Sequence, residues 1–315
     1  MGEIWTMGEI LVEVMRPRAE MPLNIPGEFL GPYPSGAPAI FIDTAARLGH
    51  KAVIVGGVGD DDFGRCLLDR LSADGVICDH ITIDENLSTA VAFVTYFNNG
   101  DRKFIFHMGN TAAANMSLRG LSVDDKPDFF HIMGCSLTAS DGFRDNIIPA
   151  IELFRNSGAA ISFDPNIRPE LLKGKDLTDL IEPVLDACSV FLPGADELLC
   201  ITGADSIETA VEGLFARTPI EYIAVKKGRA GCSVFSRREH VDYGIFDIEP
   251  RDPTGAGDCF DAAFICGLLE NKTLVECAGI ATAAASLNTA AFGPMEGNIS
   301  RDSVYEMIAR QATGA

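Results

Sequence analysis

The stretch Asp252-Pro253-Thr254-Gly255-Ala256-Gly257-Asp258 lies between a strand-like segment, residues 241–248, and a long apolar helix pattern that begins at Cys259. A chain that leaves a strand at a proline and turns through two glycines into a helix has several backbone N–H groups unpaired and pointing the same way. The same helix end carries a partial positive charge and therefore binds phosphate oxygens. The stretch predicts an anion site at the start of a helix, with the carboxylate of Asp258 beside it.

A carboxylate next to an anion site is suited to taking a proton from a hydroxyl group that attacks the phosphate. In this interpretation Asp258 is the general base. The N–H groups of Gly255, Ala256 and Gly257 stabilise the charge on the transferring phosphoryl group. The alternative is an acid without a catalytic role at the start of a helix, which stabilises the helix by about 0.3–1 kcal/mol.

The complete string is more specific than any one of its residues. It resembles the signature of the ribokinase-like family of carbohydrate kinases, whose members carry Thr-Gly-Ala-Gly-Asp after a strand. The resemblance implies transfer of the γ-phosphate of ATP, with Mg²⁺, to a sugar hydroxyl, and it places Thr254, Gly255 and Gly257 at the ATP phosphates. It also suggests a K⁺ site at Asp252, which the spacing of the residues does not itself predict.

The composition of this 315-residue chain agrees with a soluble enzyme, because a hydrophobic content of 47% is ample for a large core. The net charge of −20 argues against a nucleic-acid or anionic-membrane partner, since both need a basic surface. No apolar run is long enough to span a bilayer. Nine scattered cysteines without a Cys-x-x-Cys pair, and no signal peptide, predict a cytoplasmic protein with reduced thiols.

Apolar segments of strand length alternate with amphipathic helical segments, which predicts a three-layer α/β/α fold with a mostly parallel central sheet. The predicted strands span residues 4–14, 52–55, 129–133, 159–163, 190–192 and 222–226. The predicted helices span residues 39–48, 63–71, 146–155, 177–185, 195–215 (as a pair), 255–270, 273–289 and 301–310. We expect a single ribokinase-like domain over residues 1–315, with ligands bound at the C-terminal ends of the strands.

One segment departs from this alternation. Two β-runs, residues 89–97 and 102–108, flank Asn98-Asn99-Gly100-Asp101, and Asn-Gly is a strong hairpin signal. Together with an earlier Pro/Gly-rich stretch they predict a small β-sheet. In the family that the chain resembles, such a sheet is a lid over the sugar, so we expect the lid at about residues 12–35 and 79–108. The alternative is a surface hairpin without a function.

A glycine-containing element precedes the first predicted helix. Ser35-Gly36-Ala37-Pro38-Ala39 resembles the family's Gly-Gly-x-x-(Ala/Leu)-Asn element, in which glycines let a sugar lie against the backbone. The chain departs from this element at Ser35 and at Ile40, where Asn is usual. The resemblance places Gly36 and Ala37 at the sugar.

The string Phe163-Asp164-Pro165-Asn166-Ile167-Arg168-Pro169 follows a buried strand, so its polar residues are expected at the ligand-binding edge. The planar fork of donors on Arg168 suits a phosphate or a polar substrate, although an arginine held by local acids is the alternative. The Asp-Pro-Asn-x-Arg form resembles the fructokinase, tagatose kinase and 2-keto-3-deoxygluconate kinase branch of the family. Glu13 on the first strand and Phe104 on the lid strand complete the predicted sugar site.

A weaker match concerns the metal. Pro193-Gly194-Ala195-Asp196-Glu197 lies where the family has Asn-x-x-Glu, which implies that Glu197 helps to hold Mg²⁺ through water. Gly194 replaces the Asn of the family pattern. Acids in the first turn of a helix are the alternative explanation.

A second weak match concerns the nucleotide. Residues 225–231 resemble the family's strand and Gly-x-x-Gly turn beside ATP. The resemblance implies nucleotide contacts from Lys226, Gly228 and Gly231. An exposed basic turn is the alternative.

The motifs favour a sugar kinase over other nucleotide enzymes, because the chain has neither a P-loop nor a dinucleotide-binding Gly-x-Gly-x-x-Gly after its first strand. The predicted substrate is a ketohexose such as fructose or tagatose, phosphorylated on a primary hydroxyl. The alternative is 2-keto-3-deoxygluconate, whose carboxylate Arg168 would bind. Against it, residues 103–108 lack the Tyr and Arg associated with that branch, and Phe104 and Phe106 stand in place of hydroxyl donors, although Arg102 and Lys103 are close by in the sequence.

Two alternatives from other functional classes stay open at this point. One is a nucleoside kinase of the same fold, and the other is a sugar-sensing protein without catalysis. A homodimer formed through the lid is a further expectation.

Overall fold

The computed structural model describes residues 2–118, 120–122, 125–139, 141–172 and 176–313. Strands and helices alternate along them as the sequence predicts. The strands are β1 (Glu3–Met7), β2 (Leu11–Met15), β3 (Leu30–Ser35), β4 (Lys51–Gly59), β5 (Ile81–Asp84), β6 (Ala90–Tyr96), β7 (Arg102–His107), β8 (Phe129–Met133), β9 (Ala160–Asp164), β10 (Val190–Phe191), β11 (Tyr222–Lys226), β12 (Cys232–Ser236) and β13 (His240–Tyr243). The helices are α1 (Ala37–Arg47), α2 (Asp62–Ala73), α3 (Gly134–Ala139), α4 (Asp141–Ser157), α5 (Pro169–Leu172), α6 (Leu177–Leu185), α7 (Ala195–Thr202), α8 (Ile207–Arg217), α9 (Ala256–Leu269), α10 (Leu274–Thr289) and α11 (Arg301–Thr313).

Nine strands form the large sheet, in the order β13-β12-β11-β10-β9-β8-β1-β4-β5. Neighbouring strands from β11 to β5 are parallel, and the pairs β11–β12 and β12–β13 at one edge are antiparallel. In β1, β8 and β9 every residue but the first is buried. Because successive side chains point to opposite faces, both faces of the sheet are covered, which is the arrangement that the three-layer prediction requires.

Four strands form a second, smaller sheet in the order β3-β2-β6-β7. This sheet contains the predicted hairpin as β6 and β7, and the Pro/Gly-rich stretch supplies β3. The prediction of one strand over residues 4–14 is wrong, because β1 pairs in the large sheet and β2 in the small one. The chain crosses between the sheets at Gly8, where a Cβ would lie 2.5 Å from both Pro38 Cγ and Ser136 Oγ.

The predicted lid boundaries are also corrected. The structure assigns Ile81–Asp84 to β5, which pairs in parallel with β4 at the edge of the large sheet. The predicted range 79–108 therefore begins too early, and the second lid segment begins at β6. A four-residue edge strand with two exposed residues carries too little hydrophobic pattern to reveal its partner.

A second correction concerns the segment before the anion turn. The prediction placed a strand over residues 241–248, whereas β13 covers only His240–Tyr243, and β12 was not predicted. These two strands pair as a hairpin that extends the large sheet beyond β11. No strand is assigned to residues 244–250, and the chain passes through them to the start of α9.

The fold brings the C-terminal ends of β9 and β11 next to α9. Lys226, the last residue of β11, hydrogen-bonds to Asp164, the last residue of β9, and to Asp261 on α9. The predicted ligand edge of the sheet therefore meets the predicted anion turn. Among the described residues, no helix combines the length and apolar character needed to cross a membrane.

Candidate active site

The start of α9 has the geometry of an anion site. Gly255 caps the helix with a φ of +81°, and a Cβ there would lie 2.5 Å from the Pro294 carbonyl oxygen, so the position requires glycine. Among the described residues, the N–H groups of Gly255 and Gly257 have no protein partner, whereas that of Ala256 donates to the Pro253 carbonyl at 3.3 Å. Two of the three predicted donors are therefore available to a ligand.

Asp258 lies in the first turn of α9 with only 6% of its surface exposed. Its Oδ1 accepts a hydrogen bond from Nδ2 of Asn166 at 3.0 Å. Burial raises the pKa of Asp258 to about 7, and the charge of Asp164 acts in the same direction, against the lowering effect of Arg168 and two other cations. A carboxylate with a pKa near neutrality is suited to general-base catalysis at physiological pH.

A cavity of about 200 Å³ lies in front of this turn. That is roughly the space of seven water molecules in the liquid, which is room for a small ligand. The cavity brings together most of the predicted site residues. Those that line it are Glu13, Gly36, Ala37, Phe104, Arg168, Glu197, Lys226, Thr254, Gly255, Gly257 and Asp258.

One end of the cavity is formed by the carboxylate of Glu13 on β2. The hydroxyl of Ser35 donates to Glu13 Oε1 at 2.7 Å, and Oε2 has no hydrogen-bond partner among the described residues. Burial raises the pKa of Glu13 to about 7. Gly36 has a φ of +107°, and a Cβ there would lie 2.5 Å from the Glu9 carbonyl oxygen. The backbones of Gly36 and Glu9 are therefore in close contact at the predicted sugar element. Ile40 lines the cavity as an apolar side chain.

The small sheet covers the cavity with aromatic side chains. The rings of Phe104 and Phe106 are stacked with their centroids 5.2 Å apart, and both line the cavity together with Met108. Arg168 enters from the segment after β9. Its Nη1 donates to the Ile167 carbonyl oxygen at 3.2 Å, and among the described residues no carboxylate lies within ion-pair distance of it. The Arg168 guanidinium is thus available to a polar ligand.

The small sheet also contacts the anion turn directly. The Tyr96 hydroxyl lies 3.1 Å from both carboxylate oxygens of Asp252 and 3.2 Å from Oγ1 of Thr254. Nη1 of Arg102 donates to the same Thr254 Oγ1 at 3.2 Å. Two polar side chains of β6 and β7 therefore join the small sheet to the loop that begins α9. We call these contacts of Tyr96 and Arg102 the lid contacts.

Asp252, predicted to lie at a K⁺ site, is buried and strongly hydrogen-bonded. Besides the Tyr96 hydroxyl, it accepts the N–H of Thr254 at 2.9 Å on Oδ1 and the N–H of Gly293 at 3.0 Å on Oδ2. These three donors use three of the four lone pairs of the carboxylate, so only one is left for a cation. Asp252 does not line the cavity, and the K⁺ site stays a prediction.

Glu197 is fixed by backbone groups at the edge of the cavity. Its Oε1 accepts the N–H of Ile167 at 2.7 Å and its Oε2 the N–H of Gly194 at 2.8 Å. Each carboxylate oxygen has a second lone pair, so a water ligand of Mg²⁺ can still be bound. Among the described residues there is no group of three or more His, Cys, Asp or Glu side chains arranged around a metal. This agrees with a metal held mostly by water and phosphate oxygens, and the residues present fit Mg²⁺ in that way.

The three predicted nucleotide residues after β11 differ in their surroundings. Lys226 lines the cavity, but its Nζ is bound by the carboxylates of Asp164 and Asp261. Gly228 and Gly231 do not line the cavity. At Gly231 a Cβ would lie 2.0 Å from the Tyr243 carbonyl oxygen, so the glycine is required by the β12–β13 hairpin. Their contacts with ATP stay a prediction.

Several residues of the site were not predicted. Glu9 is buried at the cavity and accepts hydrogen bonds from Cys135 Sγ at 3.1 Å and Ser136 Oγ at 2.5 Å. Burial raises its pKa. An acid inside a buried strand segment was a signal that could have identified it. Asp164 and Asn166 lie within the string that drew attention to Arg168, but only their contacts reveal their part in the site.

The comparisons with known proteins agree with this geometry. A model of the pfkB family of carbohydrate kinases matches residues 4–301. Fructokinase-1 of Zea mays is 30% identical over 313 residues, which cover 96% of each chain. Fructokinase-2 of Solanum lycopersicum is 30% identical over 278 residues, covering 87% of this chain and 84% of the relative.

Solved structures extend the likeness to the fold. The apo form of a "putative Ribokinase II" from E. coli has 37% identity and a TM-score of 0.92, covering 98% of this chain and 100% of the other. The same E. coli protein in complex with ATP and Mg²⁺ has 36% identity and a TM-score of 0.91, with the same coverage. The chain belongs to the pfkB family of carbohydrate kinases, and the predicted ribokinase-like fold is confirmed.

Proposed function

We propose that the protein is an ATP-dependent kinase that phosphorylates a primary hydroxyl of a ketohexose such as fructose. The observation that carries this proposal is the buried carboxylate of Asp258 in one cavity with the open N–H groups of α9 and with Glu13. This arrangement supports a role for Asp258 as a base beside an anion site and a role for Glu13 as an acceptor for a sugar hydroxyl. The two relatives described as fructokinases support the sugar class.

The positions of these groups support phosphoryl transfer assisted by a general base. Asp258 takes the proton of the attacking sugar hydroxyl while that oxygen forms a bond to the γ-phosphorus and the bond to the β-phosphate oxygen breaks. The N–H groups of Gly255 and Gly257 stabilise the negative charge on the transferring phosphoryl group. Arg168 supplies a positive charge in the same cavity, and ADP is the leaving group.

Mg²⁺ is the expected metal partner of ATP, and Glu197 is the residue that would hold it through water. The E. coli structure bound to ATP and Mg²⁺ supports this pair of ligands. When bound, Mg²⁺ neutralises charge on the phosphate oxygens. The protein itself fixes the Glu197 carboxylate, which accepts hydrogen bonds from the backbone N–H groups of Ile167 and Gly194.

The sugar end of the cavity suits a neutral polyol. Glu13 Oε2, which lacks a partner among the described residues, can accept a sugar hydroxyl. The stacked rings of Phe104 and Phe106 offer an apolar surface for the C–H groups of a sugar. The same cover excludes water, which would otherwise compete with the sugar for the phosphoryl group.

A panel of acceptors tests this proposal. We expect kcat/KM to be highest for fructose or tagatose when ADP release is measured with fructose, tagatose, ribose, 2-keto-3-deoxygluconate and adenosine side by side. A preference for ribose, for the acid sugar or for the nucleoside would overturn the ketohexose assignment and leave the kinase assignment standing. Binding of a sugar without any turnover would instead favour a sensing protein.

Two further expectations are part of the proposal. Activation by K⁺ at Asp252 would appear as a higher rate in KCl than in tetramethylammonium chloride at equal ionic strength. A homodimer through the small sheet would appear as twice the chain mass in light scattering, and it would be lost when the exposed Ile105 of β7 is replaced by Lys.

A further inference from the structure

The lysine predicted to contact ATP stands at the centre of a buried ion cluster. Nζ of Lys226 lies 2.9 Å from Oδ2 of Asp164 and within 3.0 Å of both carboxylate oxygens of Asp261. An ammonium group has three N–H donors, so these contacts use all of them. The side chains of Asp164 and Asp261 are 2% and 0% exposed. The cluster is a fixed part of the protein interior.

Asp164 connects this cluster to Asn166. Its Oδ1 accepts the backbone N–H of Asn166 at 3.0 Å, and its Oδ2 accepts Nδ2 of the same residue at 3.2 Å. Asn166 has a left-handed φ of +40°, which asparagine tolerates better than most residues. Because Asp164 binds both the backbone and the side chain of Asn166, it fixes the amide in one orientation.

The amide of Asn166 in turn holds Asp258. Nδ2 donates to Asp258 Oδ1 at 3.0 Å, so its two hydrogens serve two carboxylates, those of Asp164 and Asp258. The opposite orientation would turn the amide oxygen toward both carboxylates and is unfavourable. Oδ1 of Asn166 is buried without a hydrogen-bond partner among the described residues. A buried amide with an unsatisfied oxygen is uncommon in a residue that serves stability alone.

We propose that Asn166 is a positioning residue for phosphoryl transfer, which ties the Asp258 carboxylate to the buried Lys226–Asp164 ion pair. This inference rests on the proposed function, in which Asp258 takes the proton of the sugar hydroxyl. Asn166 forms no bond to the reacting atoms. It holds Oδ1 of Asp258, while Oδ2 has no protein hydrogen-bond partner among the described residues and is left to receive the proton.

The hydrogen bond from Asn166 also favours the ionised form of Asp258. Burial and the charge of Asp164 raise the pKa of Asp258 to about 7. A hydrogen-bond donor to a carboxylate stabilises its charged form and so opposes such a rise. The other titratable or charged groups that face Asp258 are Asp164 of β9, Arg168 after β9, Lys226 of β11, Arg102 of β7, Cys135 of α3 and Cys259 of α9. All of them stay in place when only Asn166 is changed, so a change in the pH profile can be assigned to the lost donor.

The pH dependence of kcat at saturating sugar tests the inference, because ionisation of Glu13 is expected to change the sugar KM rather than kcat. Asn166→Gly keeps the left-handed backbone and removes both donors, and Asn166→Asp keeps the shape but brings a second carboxylate to Asp258. In Asn166→Gly we expect the acidic limb of the pH–rate profile to move up by about 1–2 pH units. This shift corresponds to the free energy of one hydrogen bond to a charged group. In the second variant it moves at least as far, because like charges disfavour ionisation. Because the pKa of Asp258 is about 7 in the unmodified protein, the rate at pH 7 then falls by about 5–50-fold and recovers above pH 9.

The recovery at high pH separates a positioning role from a structural one. A variant that has lost activity equally at every pH, with its acidic limb unmoved, would overturn the inference. Asn271→Gly is the matched control, because Asn271 is exposed and also has a left-handed φ, of +55°, outside the cavity. It should keep the profile of the unmodified protein.

Asp258→Asn distinguishes failure of this inference from failure of the proposed function. If that variant keeps most of its kcat, Asp258 is not the base, and the proposed role of Asn166 fails with it. If that variant is inactive but both Asn166 variants keep the original limb, the base stands and only the positioning role is overturned. Thermal unfolding and ATP binding of both Asn166 variants confirm that folded protein is compared.

Discussion

The large sheet and the small sheet make different contributions to the cavity. The large sheet and the helices α7 and α9 supply charged groups that other core residues hold by several hydrogen bonds, such as Lys226 of β11 and Glu197 of α7. The small sheet supplies mainly apolar rings, together with Glu13 and the lid contacts. Groups that perform chemistry need a geometry fixed to within about 0.5 Å, whereas a cover must open to admit the substrate. The division suggests that the core determines the rate of the chemical step and the small sheet determines sugar binding and water exclusion.

The largest effect is expected from the core side of this comparison, at Asp258. Asp258→Asn keeps the shape of the side chain and removes the base, so kcat should fall by about 10²–10⁴-fold. The Kd of ATP should change little, because the N–H groups of α9 remain. Steady-state kinetics and calorimetric titration with ATP measure the two quantities. Retention of most of the kcat would remove Asp258 from the mechanism.

An intermediate effect is expected from the small sheet, at Glu13. Glu13→Gln removes the charge that accepts a sugar hydroxyl, so the sugar KM should rise by about 10–100-fold while kcat changes less. Burial raises the pKa of Glu13 to about 7, so its ionised form is lost as the pH falls through that value. In the unmodified protein the sugar KM should therefore rise below pH 7, and in the variant it should not vary between pH 6 and 8.

Glu28→Gln is the control for this variant, since Glu28 lies on the chain between β2 and β3 but is exposed. It should leave the sugar KM unchanged at every pH. If Glu13→Gln lowered kcat as strongly as Asp258→Asn, with the sugar KM unaffected, the proposed division between the two sheets would be wrong.

The smallest effect is expected from the lid contacts. Tyr96→Phe removes the hydroxyl that donates to Asp252, and kcat/KM should fall by about 10-fold, the lower range for a hydrogen bond to a charged group. Because the small sheet then closes less tightly, more ADP should form per sugar phosphate, as water reacts in place of the sugar. The ratio of the two products measures this loss of coupling. Tyr305→Phe on α11, whose hydroxyl lies 3.4 Å from Glu270 Oε2, is the matched control and should keep the original ratio.

Hydrogen exchange shows whether the small sheet acts as a lid. Sugar and nucleotide together should slow amide exchange in residues 89–108 of the unmodified protein and slow it less in Tyr96→Phe. Equal exchange with and without saturating ligands would mean that the small sheet does not close over the cavity. In that case the two sheets would differ in the residues that they supply but not in their roles. The lower kcat/KM of Tyr96→Phe would then need another cause.

Much of the fold could be predicted because its signals are local. The hydrophobic patterns of β8, β11 and α6 identify these elements with the observed bounds. The short β5 and the hairpin of β12 and β13 were missed or misplaced, because such strands have a weak pattern and are stabilised by the neighbours they pair with. The split between β1 and β2 depends on a close approach at Gly8 that a continuous apolar run conceals.

The class of fold follows from the alternation of strand and helix patterns along the chain, and the anion turn with Asp258 follows from a proline, two glycines and a helix that are adjacent in the sequence. The partner of each buried charge becomes visible only in the folded protein. Lys226 is bound by Asp164 and Asp261, which are 62 and 35 positions away, and Asp258 is held by Asn166 at a distance of 92 positions. A buried charge takes the partner that neighbouring strands and helices bring to it, and that choice depends on packing across the sheet rather than on the sequence around the charge.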